Sequence, residues 1–161
     1  MDPILPSVFD RLTDPSLAGG PHRYTLTRAA KRVEEDLVDL MTAKRPGSGT
    51  FDGLPEVERS IVNFGLPDVS HGILESPDLR MAYCDAVRVA IERFEPRLTD
   101  VVVAIPSLSE NSRRDDVHPG TLPFRIHARL NLYPDTVEEV VFHSEFNLNT
   151  GEHRVRLAED A

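Results

Sequence analysis

A chain of 161 residues can build one hydrophobic core and leaves little room for a second. Its 27 acidic side chains against 18 basic ones give a formal net charge of −9, which excludes the clustered Lys/Arg surface that nucleic acid or an anionic membrane face requires. Apolar residues make up 40% of the chain, with no Trp and more Phe than Tyr, so the expected core is aliphatic with Phe anchors, in a protein that docks on other proteins.

The single cysteine, Cys84, excludes an internal disulfide and suits a reducing compartment. It falls in a predicted helix beside Tyr83 and Asp85, with Arg80 and Arg88 one turn away on either side, and reads as a packed or half-exposed structural thiol. The segment from Met1 to Pro6 has no basic stretch followed by an apolar run, and nothing approaches the ~18 apolar residues of a membrane span. The expectation is a cytoplasmic protein made as one domain over residues 1–161.

Residues 1–25 read as a flexible N-terminal arm rich in Pro and Gly. One apolar cluster, Val8, Phe9 and Leu12, surrounds Asp10 and Arg11, and Gly19-Gly20-Pro21 breaks the chain. Leu26, Ala30, Val33, Leu37, Leu40 and Met41 recur at three- and four-residue steps, which predicts a helix over residues 27–45. Glu35, Asp36 and Asp39 lie off its stripe, Lys44 and Arg45 suit its C-terminal end, and Pro46-Gly47 stops it. Pro55 opens a second, short helix whose buried side is expected to be Val57, Ile61 and Phe64, with Gly65 as its stop and Leu66-Pro67-Asp68 as a rigid turn. Ser76-Pro77-Asp78 announces the third helix as cap, first-turn proline and acidic first turn. Its core face is Leu79, Ala82, Tyr83, Ala86, Val87, Ala90, Ile91 and Phe94, and Pro96 ends it.

Beyond Thr99 the period changes to two. Residues 101–105 form a β-branched strand, and residues 106–121 a polar loop. Leu122, Phe124, Ile126, Ala128, Leu130 and Leu132 alternate with Arg125, His127 and Arg129. Residues 133–136 form a turn, after which Val140, Phe142, Ser144, Phe146 and Leu148 alternate with His143 and Glu145. Asn149-Thr150-Gly151 reads as a tight hairpin, and His153, Val155 and Leu157 make a short last strand. The predicted fold is α+β: three N-terminal helices packed on an antiparallel meander of about four strands, with no internal repeat.

Catalytic constellations are weak. His22, His71, His118, His127, His143 and His153 do not pair at metal-ligand spacing, although His127 and His143 can meet across the polar sheet face. Gly47-Ser48-Gly49 lacks the preceding strand and the following Lys of a phosphate loop, and no elbow motif surrounds the serines after Pro106. Glu95 and Asp100 flank a helix-to-strand junction and form the one carboxylate pair worth weighing for glycoside cleavage, but no exposed aromatic cleft accompanies them. The most informative segment is Phe94-Glu95-Pro96-Arg97-Leu98. Pro96 forces Glu95 into an extended conformation, so a rigid turn sets a carboxylate beside a guanidinium. The pair reads equally as a helix terminator, worth ~0.5 kcal/mol if exposed, or as an interface anchor.

That segment, followed by a Val-rich strand, resembles the Glu-Pro-Arg signature of the phage-tail baseplate wedge family, some of whose members carry a lysozyme-like label. Asn63-Phe64-Gly65-Leu66-Pro67-Asp68 resembles the family's second signature, and Phe9-Asp10-Arg11-Leu12 resembles the N-terminal start of its type VI secretion branch. The likeness runs through nearly the whole chain in order, departing at residues 41–45 and in the long loop after Pro106. It implies a structural, non-enzymatic subunit without cofactor or metal, sitting at a cytoplasmic baseplate on an inner-membrane complex. The partners it implies are TssF and TssG of the baseplate, which hold the subunit through Glu95, Pro96, Arg97 and Leu98, together with TssK, and the sheath proteins TssB and TssC. One of the two outer strands, residues 101–105 or the last strand with Arg154, Val155 and Arg156, would template the sheath. The same fold also resembles an anti-adaptor that shields a stress sigma-factor system from proteolysis.

Overall fold

Period-two patterning and tight turns produce one antiparallel sheet of four strands in sequence order: β1 (Leu98–Ala104), β2 (Thr121–Leu132), β3 (Thr136–Asn147) and β4 (Glu152–Leu157). The computed structural model describes residues 6, 8–16, 24–47, 50–68, 73, 76–106, 120–132 and 136–158. The expected inner face is buried: Leu122 to Leu132 at every second position of β2, and Val140, Phe142, Ser144 and Phe146 of β3. His127, Arg129, His143 and Glu145 occupy the exposed outer face. Asn147 shapes the β3–β4 hairpin by accepting the N–H groups of Asn149 and Thr150 at 2.9 and 3.2 Å. The sheet's first strand starts earlier than its β-branched run, because Leu98 is buried and the Asn131 N–H donates to the Arg97 carbonyl at 2.8 Å. Between Thr99 and Val102 the strand carries one extra residue against β2, and Asp100 adopts a φ of 53° there. This is a bulge on an outer strand.

The helices are α1 (Val8–Thr13), α2 (Leu26–Thr42), α3 (Pro55–Glu58) and α4 (Pro77–Phe94), with a 3-10 turn at Ile61–Asn63. Thr25 and Ser76 cap α2 and α4 by accepting the N–H groups of Arg28 and Leu79, each at 3.3 Å. The two long helices pack on the sheet's inner face, α2 towards β4 and α4 towards β1. Their Val33, Leu37, Val87 and Ile91 join Phe124, Ile126, Leu130 and Phe142 in a single core, where each large side chain contributes about 1.5–3 kcal/mol.

Four expectations need correction. Residues 8–13 of the presumed arm are helical, and Asp10 is buried. Ile61 is 82% exposed instead of buried, with Val57 and Phe64 only half-buried, because α3 is one turn long and the following 3-10 turn resets the helical phase. Leu79 and Ala82 are exposed, since the buried stripe of α4 begins only at Tyr83. The first long helix stops at Thr42, where Ala43 turns extended and Lys44 bridges to Leu66. Gly19-Gly20-Pro21, residues 107–119 of the polar loop, residues 133–135, and His22, His71 and His118 lie outside the described residues.

Candidate functional site

Residues 95–98 form a β-turn closed by the Leu98 N–H to the Glu95 carbonyl at 3.1 Å, with Pro96 at its second position. The turn, more than an extended strand, brings Glu95 and Arg97 to the same side. Arg97 Nε donates to Glu95 Oε1 at 2.6 Å and Nη2 to Oε2 at 2.5 Å, a bidentate fork, and the Arg97 backbone N–H reaches the same Oε1 at 3.2 Å. Glu95 is only 5% exposed and Leu98 is buried, whereas Pro96 faces solvent and Arg97 is half-buried.

The fork continues inward. Arg97 Nη2 also donates to Asp36 on α2. Asp36 meets Arg32 at 3.4 Å, Arg32 reaches Asp10 on α1 at 3.2 Å, and the Tyr24 hydroxyl donates to Asp10 at 3.3 Å. One chain of ion pairs and hydrogen bonds thus joins α1, α2 and the α4–β1 turn. Burial alone would lower the Arg97 pKa, but its bonds and charge contacts with Glu95 and then Asp36 raise it, so the guanidinium stays charged. Burial, then the charge of Asp10, push the Tyr24 phenol up to about 12.

This chain of charges floors an open crevice of about 530 Å³, walled by Phe9, Leu40, Phe64, Phe94 and Pro96 and edged by Asp39. Phe64 and Phe94 come from the two signature segments. The second segment is braced from behind: the Leu66 N–H donates to the Ala43 carbonyl at 2.9 Å, the Arg45 N–H to the Leu66 carbonyl at 3.0 Å, and the Asn63 amide to the Glu58 carbonyl at 3.0 Å. Sequence reasoning missed Asp10, Tyr24 and Arg32 as members of this site. The chain does carry one local signal, because Arg32 stands three and four residues before Glu35 and Asp36 on one face of α2.

Elsewhere the assigned residues separate. Asp100 sits on the bulge against Arg129 at 3.3 Å, while Glu95 is held by Arg97, so each carboxylate of the weighed pair has its own arginine. His127 pairs in register with Val141, and His143 with Arg125, which leaves the two histidines diagonal on the outer face. No group of three metal-ligating side chains occurs among the described residues. Burial, then Asp85, push the Cys84 thiol up, away from its reactive form.

Arg154 and Arg156 are exposed on β4, and Val155 is buried between them. The Ala158 N–H donates to the Val141 carbonyl at 2.7 Å, and the Leu157 N–H to Glu34 of α2 at 2.7 Å. By alternation, Arg154 and Arg156 direct their N–H groups to β3, and His153, Val155 and Leu157 direct theirs to the open edge. His153 itself points inward, stacked on Phe146 with ring centroids 4.4 Å apart and its Nε2 3.0 Å from the Tyr83 hydroxyl.

An α+β domain with helices on one sheet face and a charged, apolar-walled crevice at the helix–strand junction is the class these features define. The family described as Baseplate wedge protein gp25 matches residues 27–135, and the chain belongs to it. That is a family of structural components of phage-tail-like baseplates. The matched span contains both signature segments, α2 to α4 and strands β1 and β2, and leaves α1 and the β3–β4 hairpin outside. No curated protein matches the chain. No helix among the described residues is long and apolar enough to cross a membrane.

Proposed function

We propose that this chain is the TssE-type wedge subunit of a type VI secretion baseplate, a non-catalytic part that docks on TssF and TssG in an assembly with TssK. The observation that carries the reading is the meeting of both signature segments at one crevice, with Phe64 against Phe94 and the Glu95–Arg97 fork beside them. Rigid aromatic and arginine side chains in a preformed crevice are the usual composition of an interface hot spot. The subunit works in the cytoplasm at the baseplate on the inner-membrane complex. Its sheet ends in two outer strands, β1 and β4, and supports a second role as the template on which the first TssB/TssC ring is laid by strand addition.

Co-expression with TssF and TssG from the same gene cluster tests the reading. A stable complex in size exclusion is expected. Elution of the chain alone, with a response regulator captured in its place, would carry the anti-adaptor reading instead. Purified protein should leave the turbidity of a peptidoglycan suspension unchanged relative to buffer; clearing that depends on Glu95 or Asp100 would overturn the non-catalytic assignment.

A further inference from the structure

We infer that the crevice beside α1 receives a segment of a neighbouring assembly protein that is both basic and apolar, its Lys or Arg meeting Asp39 while its apolar side chains cover Phe9 and Phe64. The inference rests on the reading of this crevice as an assembly surface and adds the chemistry of what enters it.

The first observation is the inverted attachment of α1. Six-residue helices that dock on a core normally bury their apolar residues, yet here the buried residue is Asp10, held by Tyr24 and Arg32. Val8, Phe9 and Leu12 are left 70%, 60% and 79% exposed. Ion pairing therefore fixes α1 with its apolar side outward, and Phe9 forms one wall of the crevice. Apolar side chains held in this way leave a surface that water covers poorly and a partner covers well.

The second observation is charge. The crevice holds four carboxylates, Asp10, Asp36, Asp39 and Glu95, against two guanidiniums, Arg32 and Arg97. Both guanidiniums are engaged by carboxylates already, Arg32 by Asp10, Glu35 and Asp36 and Arg97 by Glu95 and Asp36. Asp39 is exposed and has no ion pair or side-chain hydrogen bond among the described residues. It also stands in the last turn of α2, where the helix dipole disfavours a negative charge. The surplus is negative, so an acidic segment is repelled, and so is a second copy of a chain with net charge −9. A basic side chain gains the Asp39 carboxylate and an aromatic face; Arg32 already lies 5.6 Å from the centre of the Phe9 ring.

Site-specific photo-cross-linking in cells that produce the whole machine tests this, with Phe9→p-benzoylphenylalanine in the full chain and the cross-linked peptide read by mass spectrometry. The expected product is a baseplate-protein segment with Lys or Arg among apolar residues. Adding Asp39→Lys should lower its yield at least about tenfold and Asp39→Asn less, with a melting temperature that does not fall, because Asp39 has no ion pair to lose among the described residues and its charge opposes the α2 dipole. A basic, apolar segment from a component of a different assembly would uphold this inference and overturn the wedge-subunit reading, whereas one from a protein of no assembly would overturn both. An acidic segment of TssF or TssG would do the reverse. Capture of a second copy, no capture, or a yield indifferent to Asp39→Lys would overturn the inference.

Discussion

Phe64 and Phe94 pack edge to face, with ring centroids 5.3 Å apart and planes at 71°. This contact joins the turn after the short helix to the end of α4, so two segments that look like separate signatures in the chain form one wall in space. Aromatic pairs in this geometry contribute about 0.5–1.5 kcal/mol beyond their burial.

Arg97 is a structural residue as well as a proposed anchor. Arg97→Ala leaves the Glu95 carboxylate buried without its fork and should cost about 2–4 kcal/mol in urea denaturation. Glu95→Ala should cost less, because Arg97 keeps Asp36 and part of its surface in water. Arg97→Lys should fall between wild type and Arg97→Ala, since an ammonium cannot make the fork. A loss under about 1 kcal/mol for Arg97→Ala would place the pair in the surface class.

Gly65 has φ +112°, and a Cβ there would stand 2.3 Å from the Ala43 carbonyl oxygen. The close approach is what lets Leu66 bridge to the end of α2. Gly65→Ala should therefore lose at least about 2 kcal/mol, read as a fall in the urea midpoint at unchanged slope.

His153 makes the fold sensitive to acid. Burial lowers its pKa from 6.5 to about 4. Between those values the unfolded chain binds more protons, so stability is intact above pH 6.5 and declines as pH falls through the window. The full loss, reached below pH 4, is on the order of 3 kcal/mol. His153→Phe should flatten the pH dependence of the melting temperature between pH 6.5 and 4; an unchanged slope would place the acid sensitivity elsewhere.

Proline scanning separates the two sides of β4. Arg154→Pro removes an N–H directed at β3 and should destabilise the domain by about 3 kcal/mol or more, whereas Val155→Pro removes an edge N–H and should cost about 1 kcal/mol while abolishing sheath nucleation. The Leu157 N–H is already taken by Glu34, so an incoming strand has His153 and Val155 as its donors unless Glu34 moves. Intact nucleation with proline at outward positions of both β4 and β1 would exclude strand addition.

Long local patterns were legible in the chain. The buried alternation of β2 and β3, the stripe of α2 and the Ser76-Pro77 start of α4 appear in the structure where the residues placed them, because each rests on neighbours a few positions away. The short elements were harder. Ile61 followed a helical phase that the 3-10 turn breaks, and Val8, Phe9 and Leu12 looked like part of an arm because six residues carry too little periodicity to define a helix.

The order of the long elements, the sheet's two faces, the turn at Pro96 and the stop at Gly65 could be read from the chain, since they follow from short-range sterics and hydrophobic period. Long-range packing settles that Asp10 is buried and Phe9 exposed, that Arg97 is shared between Glu95 and Asp36, and that one edge amide of β4 is held by Glu34. Those contacts join residues far apart in the chain, and a charge's partner depends on where the core brings the backbone, which no local spacing encodes.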